Sequence, residues 1–361
     1  MTHKFNSFLR KYTKFEGVKT HRMANPDFTV RATSRIYIAS ATELLPSLVG
    51  DRRVVVVTDA TIDRLYADLL KPYEKILIGR GETIKTLQTA EQIVRQLVAM
   101  GADRNTFLLA VGGGIVTDIA GFVASIYMRG IRFGFISTTL LGQVDASVGG
   151  KNGVNLDGYK NMIGCFTQPE FVICDPTMLL TLPEREFRAG LAEIVKASII
   201  GDEAMFCRLE QATVEELRRD RKLLAAAVRS AVRVKAEIVE RDEREAGDRR
   251  LLNLGHTLAH AIEKSSKAMI HGEAVAVGTA VVADVAVKIG LLTSVQRDRI
   301  RALLVRFGLT IAPPVAMSRL LKVMTKDKKS AGNDLHLILP REIGRCEVMT
   351  VNKQDLNSWF E

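Results

Sequence analysis

The chain has 361 residues, of which 47% are apolar and 25% charged, so it can bury a large core and is not compositionally disordered. Charged residues interrupt its two richest apolar stretches, which leaves no run near the roughly 20 residues of a membrane-spanning helix. The net charge of +10 suits an acidic partner, but basic residues are dispersed and aromatics amount to 6%, so a small polyanion fits better than nucleic acid.

The chain begins with a basic extension, residues 1–26, which holds six Lys or Arg against one acid. It lacks the apolar stretch of a secretory signal, and we expect it to be mobile. The cysteines are too few to staple a fold of this size and share no C-x-x-C spacing, which indicates a reducing compartment and predicts a cytoplasmic protein. They are Cys165, Cys174, Cys207 and Cys346.

Alternation over residues 28–38 predicts an opening hairpin or edge strand. Short apolar runs then recur between stretches of helical spacing, which predicts a parallel sheet in an α/β domain over residues 27–176. The runs are residues 54–57, 76–78, 107–111, 133–136 and 171–174, and the crossover helices are expected over 86–101 and 115–128. A ligand is expected at the carboxyl ends of such strands.

After residue 176 the pattern changes to long amphipathic helices, which predicts an all-α C-terminal domain over residues 177–361. Thr213 and Glu216 have the spacing of a capping box and are expected to open a long helix. Lys235 falls on the apolar stripe of that helix. An ammonium at such a position either extends to the rim of the core or meets an anion, and the pattern leaves both open.

Two glycine clusters suggest anion sites. Gly112 to Gly114 lie between a buried run and a helix, where backbone amides can meet a phosphate, although a plain tight turn explains them too and Thr117 breaks the G-x-G-x-x-G pattern. Gly149 and Gly150 precede Lys151 without the remaining residues of a Walker motif. What remains is a glycine-rich cationic segment, residues 145–161, suited to an anionic ligand.

Half of the histidines lie within sixteen residues: His256, His260 and His271. His256 and His260 have the i, i+4 spacing of a zinc pair on a helix, but the general base of H-E-x-x-H is missing, which disfavours a peptidase. Three histidines that form hydrogen bonds at a helix junction are the structural alternative. Glu193 could complete a three-ligand site, and Lys196 shares its helix face.

Several separated motifs occur in an order that closely resembles the 3-dehydroquinate synthase family. They are GGGIVTDIAGFVASIYMRG, STTLLGQVDASVGGKNGVN, KNMIGCF, GLAEIVK, LLNLGHTLAHAIE, HGEAVAVG and DKK, and the resemblance runs from about Phe28 to the C-terminus. It implies an N-terminal nucleotide-binding α/β domain, a helical C-terminal domain, and a site between them for NAD and a divalent metal, Zn²⁺ or Co²⁺.

The resemblance also implies roles for individual residues. The implied metal ligands are Glu193, His256 and His271, which leaves His260 to the substrate. The implied cofactor residues are Asp59, Gly81, Glu82, Lys85, Gly114, Asp118, Thr138, Thr139 and Thr181. The implied catalytic residues are Lys151, Lys196, His260, Asn253 and Asp145, and further substrate contacts are Arg129, Lys160, Asn161, Lys235, Arg249 and Lys328. Arg129 is implied to reach the neighbouring subunit's site in a homodimer.

The implied reaction converts 3-deoxy-D-arabino-heptulosonate 7-phosphate to 3-dehydroquinate and phosphate, in the shikimate route to aromatic amino acids, with NAD restored in each turnover. Three departures from the family pattern bear on the substrate: Thr117, Asn152 and the pair Leu258 and Ala259. Related cyclases that make aminodehydroquinate, deoxy-scyllo-inosose or valiolone-type rings are therefore the alternative. A glycerol-dehydrogenase-like oxidoreductase is less favoured because it has little need of so many cations. We expect neither a nucleic-acid nor a membrane partner.

Overall fold

The computed structural model describes residues 24–31, 33–266, 268–325 and 334–360. Within these ranges the fold is an α/β region followed by a helical region, as the sequence predicts. Lys328 lies outside the described residues, as does the basic extension up to residue 23.

The α/β region is built on a seven-stranded sheet with the order β1-β2-β9-β6-β5-β3-β4. Its strands are β1 (Phe28–Val30), β2 (Ser34–Tyr37), β3 (Val54–Asp59), β4 (Glu74–Ile78), β5 (Phe107–Gly112), β6 (Phe133–Ser137) and β9 (Phe171–Cys174). All neighbours pair in parallel except β1 and β2, which form the predicted opening hairpin. β3 and β5 are buried along their whole length, which is typical of parallel strands covered on both faces.

Helices connect these strands and cover the sheet. They are α1 (Ala41–Val49), α2 (Ala60–Leu65), α3 (Ala67–Leu70), α4 (Leu87–Ala99) and α5 (Gly114–Ile126). The two crossover helices predicted from apolar spacing, α4 and α5, are confirmed within two residues at each end. From β3 the chain first adds β4 on one side and then adds β5 on the other side of β3, so the direction in which the sheet grows changes at this point. A crevice for a dinucleotide is expected outside the carboxyl ends of the strands at such a point.

The glycine-rich cationic segment is not a simple loop. It starts with a short π-helical turn (Gly142–Ala146) and continues as a separate antiparallel hairpin, β7 (Lys151–Leu156) and β8 (Tyr159–Phe166). The sequence did not predict these strands, because β8 is mostly exposed and β7 consists mostly of polar residues and glycine, so neither has a clear apolar alternation. The hairpin packs against α5, and Lys160 of β8 forms an ion pair with Glu263 of the helical region.

The helical region contains α6 (Glu184–Gly201), α7 (Glu203–Glu210), α8 (Val214–Arg219), α9 (Arg221–Arg241), α10 (His256–Ser265), α11 (His271–Lys288), α12 (Ser294–Arg306), α13 (Met317–Thr325) and α14 (Leu356–Phe360). It also carries a hairpin, β10 (Asp334–Glu342) and β11 (Arg345–Asn352), so the region is mainly rather than purely α. No helix among the described residues is both long and apolar enough to cross a membrane.

One predicted helix start is wrong. Thr213 and Glu216 do form a capping box, but it opens the short helix α8. The long helix α9 begins separately at Arg221, where the Asp220 carboxylate accepts hydrogen bonds from the amides of Lys222 and Leu223. The apolar stripe of α9 is buried as predicted, including Lys235.

Candidate active site

The residues implied for the cofactor lie at the carboxyl edge of the sheet. Each follows or ends a parallel strand, and each group comes from a different strand. Asp59 ends β3; Gly81, Glu82 and Lys85 follow β4; Gly114 and Asp118 follow β5; Thr138 and Thr139 follow β6; Thr181 closes the turn after β9. Parallel strands therefore bring together residues that are up to 122 positions apart in sequence (181 − 59 = 122).

The amino terminus of α5 is open to an anion. Its N-cap, Gly113, has no side chain, so no side-chain oxygen occupies the first amides of the helix. A Cβ on Gly114 would lie 2.8 Å from the Cβ of Ala146, so only glycine lets this turn sit so close to the π-helical turn. The buried hydroxyls of Ser137 and Thr138 at the end of β6 have no hydrogen-bond partner among the described residues. These groups fit the phosphates and hydroxyls of a dinucleotide.

Lys85 connects the carboxyl edge of the sheet, where the residues implied for the cofactor lie, to the hairpin of β7 and β8. Its buried ammonium pairs with Asp118 of α5 and donates a hydrogen bond of 2.6 Å to Asn161 Oδ1 of β8. Burial, opposed by Lys85, raises the pKa of the Asp118 carboxyl. Asn161 has a φ of 51°, a left-handed conformation that is uncommon for a residue other than glycine. This strained position holds the side chain against Lys85.

Glu193, His256 and His271 form one cluster in which a ligand atom of each residue lies within 4.8 Å of the others. Glu193 Oε1 is 3.8 Å from His256 Nε2 and 3.5 Å from His271 Nε2. Two ligands that each lie about 2.1 Å from a zinc ion are about 3.4 Å apart at tetrahedral angles. The cluster forms because α11 crosses α6 closely, where a Cβ on Gly272 would meet the backbone of Ala189.

The donor set of this cluster fits a divalent metal. His256 Nδ1 lies 3.1 Å from the Leu254 carbonyl oxygen and His271 Nδ1 lies 3.3 Å from Glu263 Oε1, so both histidines direct Nε2 towards Glu193. Neither oxygen of Glu193 accepts a well-directed hydrogen bond from a described residue, and its side chain is only 1% exposed. A buried carboxylate with an unsatisfied oxygen is expected to bind a cation.

Glu193, His256 and His271 differ in their protonation states. Burial and the nearby Lys196 ammonium lower the pKa of His256 to about 3, so its imidazole is neutral and ready to ligate. Burial opposes the charge of Glu193, but the Lys196 ammonium, 2.5 Å from Oε2, lowers the carboxyl pKa to about 2. Burial also opposes the charge of His271, yet the nearby carboxylates of Glu193 and Glu263 raise the imidazole pKa to about 9. A metal at this cluster would have to displace that proton.

His260 lies beside the cluster and not within it. Its ring meets that of His256 edge to face, with 5.8 Å between the ring centroids. The i, i+4 pair that spacing alone favoured for a metal is therefore not the group that converges; His271 takes the place of His260 because α11 folds back on α10.

The buried lysine of α9 meets an anion. Lys235 Nζ lies 2.5 Å from Asp145 Oδ1 and 2.6 Å from the Asp145 carbonyl oxygen. Burial, although opposed by Asp145, lowers the pKa of the Lys235 ammonium, whereas Lys235 and Lys196 together hold the Asp145 carboxyl well below its usual pKa despite burial. This pair joins the π-helical turn to the helical region and resolves the alternatives that the sequence left open.

A second carboxylate holds residues of both regions. Glu245 pairs with Lys151 at the start of β7 and accepts a hydrogen bond from Asn253. Glu245 has a φ of 63°. The turn that contains it is fixed by the Asp242 carboxylate, which accepts hydrogen bonds from the backbone amides of Ala246 and Gly247. Nearby, Arg249 donates a 2.9 Å hydrogen bond to the Gly149 carbonyl oxygen, so the glycine-rich turn is tied to the same site.

The sequence did not single out Glu245 or Glu263. Glu245 lies in a charged stretch and Glu263 directly follows apolar residues, and only their positions near Arg249 and His260 could have drawn attention to them. Glu263 accepts a hydrogen bond of 2.9 Å from Lys160 as well as its bond from His271. The carboxylates that pair with Lys151 and Lys160 therefore became visible only in the structure.

Two implied residues stand apart from this network. Arg129 is exposed, with a φ of 70° after Met128 at 49°, and no described residue holds its guanidinium by a hydrogen bond or ion pair. Thr181 contacts Tyr66 through its hydroxyl at 2.7 Å. Lys328 falls outside the described residues.

The departures from the family pattern have structural roles. Thr117 is buried and donates a hydrogen bond of 3.0 Å to the Gly114 carbonyl oxygen. Asn152 is buried and donates to the carbonyl oxygens of Gly150 and Thr167. Leu258 and Ala259 are buried in the core. None of the four contributes a charge to the site.

Comparisons with known proteins agree with this architecture. The family models described as 3-dehydroquinate synthase N-terminal and C-terminal match residues 75–189 and 190–330. The 3-dehydroquinate synthase of Halorhodospira halophila is 46% identical over 312 residues, which cover 84% of this chain and 88% of that protein.

Two solved structures are also similar. A 2-epi-5-epi-valiolone synthase from Streptomyces hygroscopicus, with NAD⁺ and Zn²⁺ bound, has a TM-score of 0.82 and 29% identity, covering 90% of this chain and 94% of its own. A 2-deoxy-scyllo-inosose synthase complexed with carbaglucose-6-phosphate, NAD⁺ and Co²⁺ has a TM-score of 0.80 and 25% identity, with coverage of 90% and 95%. Family models that together span most of the chain and the high identity to a curated relative lead to one conclusion: the chain belongs to the 3-dehydroquinate synthase family.

Proposed function

We propose that the chain is a 3-dehydroquinate synthase, a carbon-oxygen lyase that converts 3-deoxy-D-arabino-heptulosonate 7-phosphate to 3-dehydroquinate and phosphate. The observation that carries the proposal is the position of the Glu193, His256 and His271 cluster, which lies among buried cations at the carboxyl edge of a dinucleotide-type sheet. A metal site, a cofactor edge and an anion site in one cleft are what this reaction needs.

NAD would lie along the strand ends, with its phosphates at the open start of α5 and its remaining contacts from the nine cofactor residues named above. Glu193, His256 and His271 would hold Zn²⁺ or Co²⁺. When bound, the nicotinamide accepts and returns a hydride, and the metal polarises the oxygens of the substrate. The relatives with NAD⁺ and Zn²⁺ or Co²⁺ in their structures support this assignment.

The chain's own cations would orient the substrate. Lys151, Lys160, Asn161, His260 and Lys328, together with the partner's Arg129, would clamp the phosphate, while Lys235 and Arg249 would take the carboxylate in charge-assisted hydrogen bonds. Asp145 keeps the Lys235 ammonium in the cleft, and Lys196 keeps Glu193 ionised. Asn253, which is uncharged like Asn161, donates a hydrogen bond to Glu245.

We also propose that the enzyme is a cytoplasmic homodimer with two domains divided near residue 176. The exposed Arg129, held on consecutive left-handed residues and without a partner among the described residues of its own chain, supports a role across a subunit interface. The four free thiols suit a reducing compartment.

Other sugar-phosphate cyclases are the second candidate, because the two similar solved structures are of a 2-epi-5-epi-valiolone synthase and a 2-deoxy-scyllo-inosose synthase. A substrate without a carboxylate would leave Lys235 and Arg249 without the anion that we assign to them. Thr117, Asn152 and Leu258 provide no argument for the second candidate, since all three are buried and make contacts within the fold.

Phosphate release from two substrates distinguishes the candidates. The protein loaded with NAD and Zn²⁺ is given the heptulosonate phosphate in one assay and glucose 6-phosphate in another. We expect phosphate and 3-dehydroquinate from the first and a rate at least about a thousandfold lower from the second, because the hydrogen bonds from Lys235 and Arg249 to the substrate carboxylate are then missing. Turnover of glucose 6-phosphate alone would contradict the proposal.

A further inference from the structure

Glu263 holds two residues that belong to different parts of the site. Its Oε1 lies 2.9 Å from Lys160 Nζ and 3.3 Å from His271 Nδ1, and its side chain is only 8% exposed. A buried carboxylate in a helix is unfavourable unless its oxygens are satisfied, and here a single oxygen serves both contacts. The arrangement is more specific than a solvated surface ion pair.

The contact with His271 determines which nitrogen of that ring faces the metal cluster. A hydrogen on Nδ1 that is donated to Glu263 leaves Nε2 as the ligand atom, and Nε2 is the nitrogen that lies 3.5 Å from Glu193 Oε1. A carboxylate behind a histidine ligand fixes the ring's orientation and raises its basicity. Glu263 therefore supports the ligand geometry from outside the cluster.

The contact with Lys160 crosses between the two regions. Lys160 lies on the exposed hairpin strand β8, whereas Glu263 lies on α10 of the helical region. Lysine side chains lose much conformational freedom when they are fixed, so a strand-borne lysine needs an anchor to point into a cleft. Glu263 provides such an anchor for Lys160.

We propose that Glu263 is a positioning residue that orients the metal ligand His271 and the phosphate-binding Lys160 together, so that occupation of the metal site prepares the phosphate site. The inference rests on the proposed function, which assigns the metal and the phosphate to these two residues. It adds that one carboxylate couples them.

Two variants of Glu263 test the proposal in the full-length protein. Zinc affinity is measured without substrate, by competition with a chromophoric chelator. We expect Glu263→Ala to weaken zinc binding by about 10- to 100-fold, the range found for lost partners of metal ligands. Glu263→Gln keeps an acceptor oxygen without the charge and is expected to lie between Ala and wild type. This graded rescue separates positioning from a general loss of fold.

Steady-state kinetics at saturating zinc test the second half of the proposal. Both variants are expected to raise the KM for the heptulosonate phosphate about tenfold, with a smaller change in kcat. Lys160→Met is expected to raise KM similarly and to leave zinc affinity unchanged. Glu210→Gln is the matched control, because Glu210 is also a partly buried helical acid but pairs with Arg299 of α12, and it should change neither quantity.

Zinc affinity of Glu263→Ala within twofold of wild type would overturn the proposal, and so would weakened zinc binding with an unchanged KM. If Glu263→Ala fails to fold, by circular dichroism, the Gln variant decides on the same criteria. A wild-type protein that binds zinc but releases no phosphate would refute the proposed function alone. The zinc measurement would still decide whether Glu263 positions His271.

Discussion

The two regions contribute to the cleft by different physical means. The α/β region contributes mainly backbone and small side chains: the open start of α5, the close turn at Gly114 and the hydroxyls after β6. The helical region contributes buried charge, with Glu193, Lys196, Lys235 and Arg249 all inside the protein. The part of the site in the α/β region therefore depends mainly on the shape of the backbone. The part in the helical region depends on buried charges that neutralise one another.

The regions meet through ion pairs and not through apolar contact alone. Lys235 with Asp145, Lys151 with Glu245 and Lys160 with Glu263 each join a residue before position 176 to one after it. Removing one member of a buried pair leaves an uncompensated charge, whereas adding one methyl at the cofactor edge changes only the fit. Substitutions in the two regions should accordingly differ in what they disturb.

The largest effect is expected at the metal cluster. His271→Ala should lose bound zinc and nearly all activity, because Glu193, His256 and His271 are the three ligands of the cluster and the loss of one opens the site. His260→Ala should keep the zinc and lose turnover, since its ring lies beside the cluster. Metal analysis of the purified variants checks this. Zinc lost from the His260 variant with zinc kept in the His271 variant would reverse the assignment.

The next effect tests whether one subunit completes the other's site. Arg129→Ala should lower kcat/KM by about a hundredfold, or about 2.7 kcal/mol, while NAD binding stays nearly intact. A solvated arginine at a helix end would instead contribute only a few tenths of a kcal/mol and no activity.

Mixed dimers make that test sharper. Subunits with Arg129→Ala and subunits with Lys151→Ala are each expected to be inactive. After exchange, one site of every mixed dimer has its own Lys151 and the partner's Arg129, so activity should partly return. Exchange demonstrated by mass with no activity regained would refute the shared site.

A smaller effect concerns the stability of the charged region. Lys235→Met should lower the free energy of unfolding by about 3 kcal/mol, because Asp145 stays in the cleft without its nearest cation. The double variant Asp145→Asn with Lys235→Met should regain part of that stability and none of the activity. Urea unfolding of the three proteins measures it. A double variant no more stable than the single one would argue against a coupled pair.

The smallest effect is expected at the cofactor edge. Gly114→Ala should weaken NAD binding about tenfold, because the added Cβ lies 2.8 Å from that of Ala146 and pushes the start of α5 outward. Zinc affinity should not change. Gly201→Ala is the control, since its Cβ would meet only Val234 at 3.3 Å. Calorimetric titration with NAD gives the affinity of both variants. Equal NAD affinities of the two variants would show that the close turn at Gly114 does not determine NAD binding.

The secondary structure of the α/β region could be predicted from the sequence more fully than the helical region and its part of the site. Strands such as β3 and β5 are continuous apolar runs, so their burial and parallel pairing follow from composition. The capping box at Thr213 was identified but assigned to the wrong helix, because a break of one residue at Asp220 has no apolar signature.

The site itself was predictable only in part. Spacing along α10 favoured His256 with His260, since sequence shows neighbours on one helix and not the return of α11 that brings in His271. The partners of the lysines, Glu245 and Glu263, depend on contacts across the cleft. Tertiary contacts of this kind leave no local pattern in a single sequence.

The proposed function requires one cleft that binds cofactor, metal and phosphorylated acid for a reaction with no net redox change. The most direct test supplies NAD at about one hundredth of the concentration of the heptulosonate phosphate and follows phosphate and NADH together. We expect complete phosphate release with no NADH beyond a small transient, because the hydride is returned in each turnover. NADH that accumulates in proportion to product would contradict it and would favour a dehydrogenase.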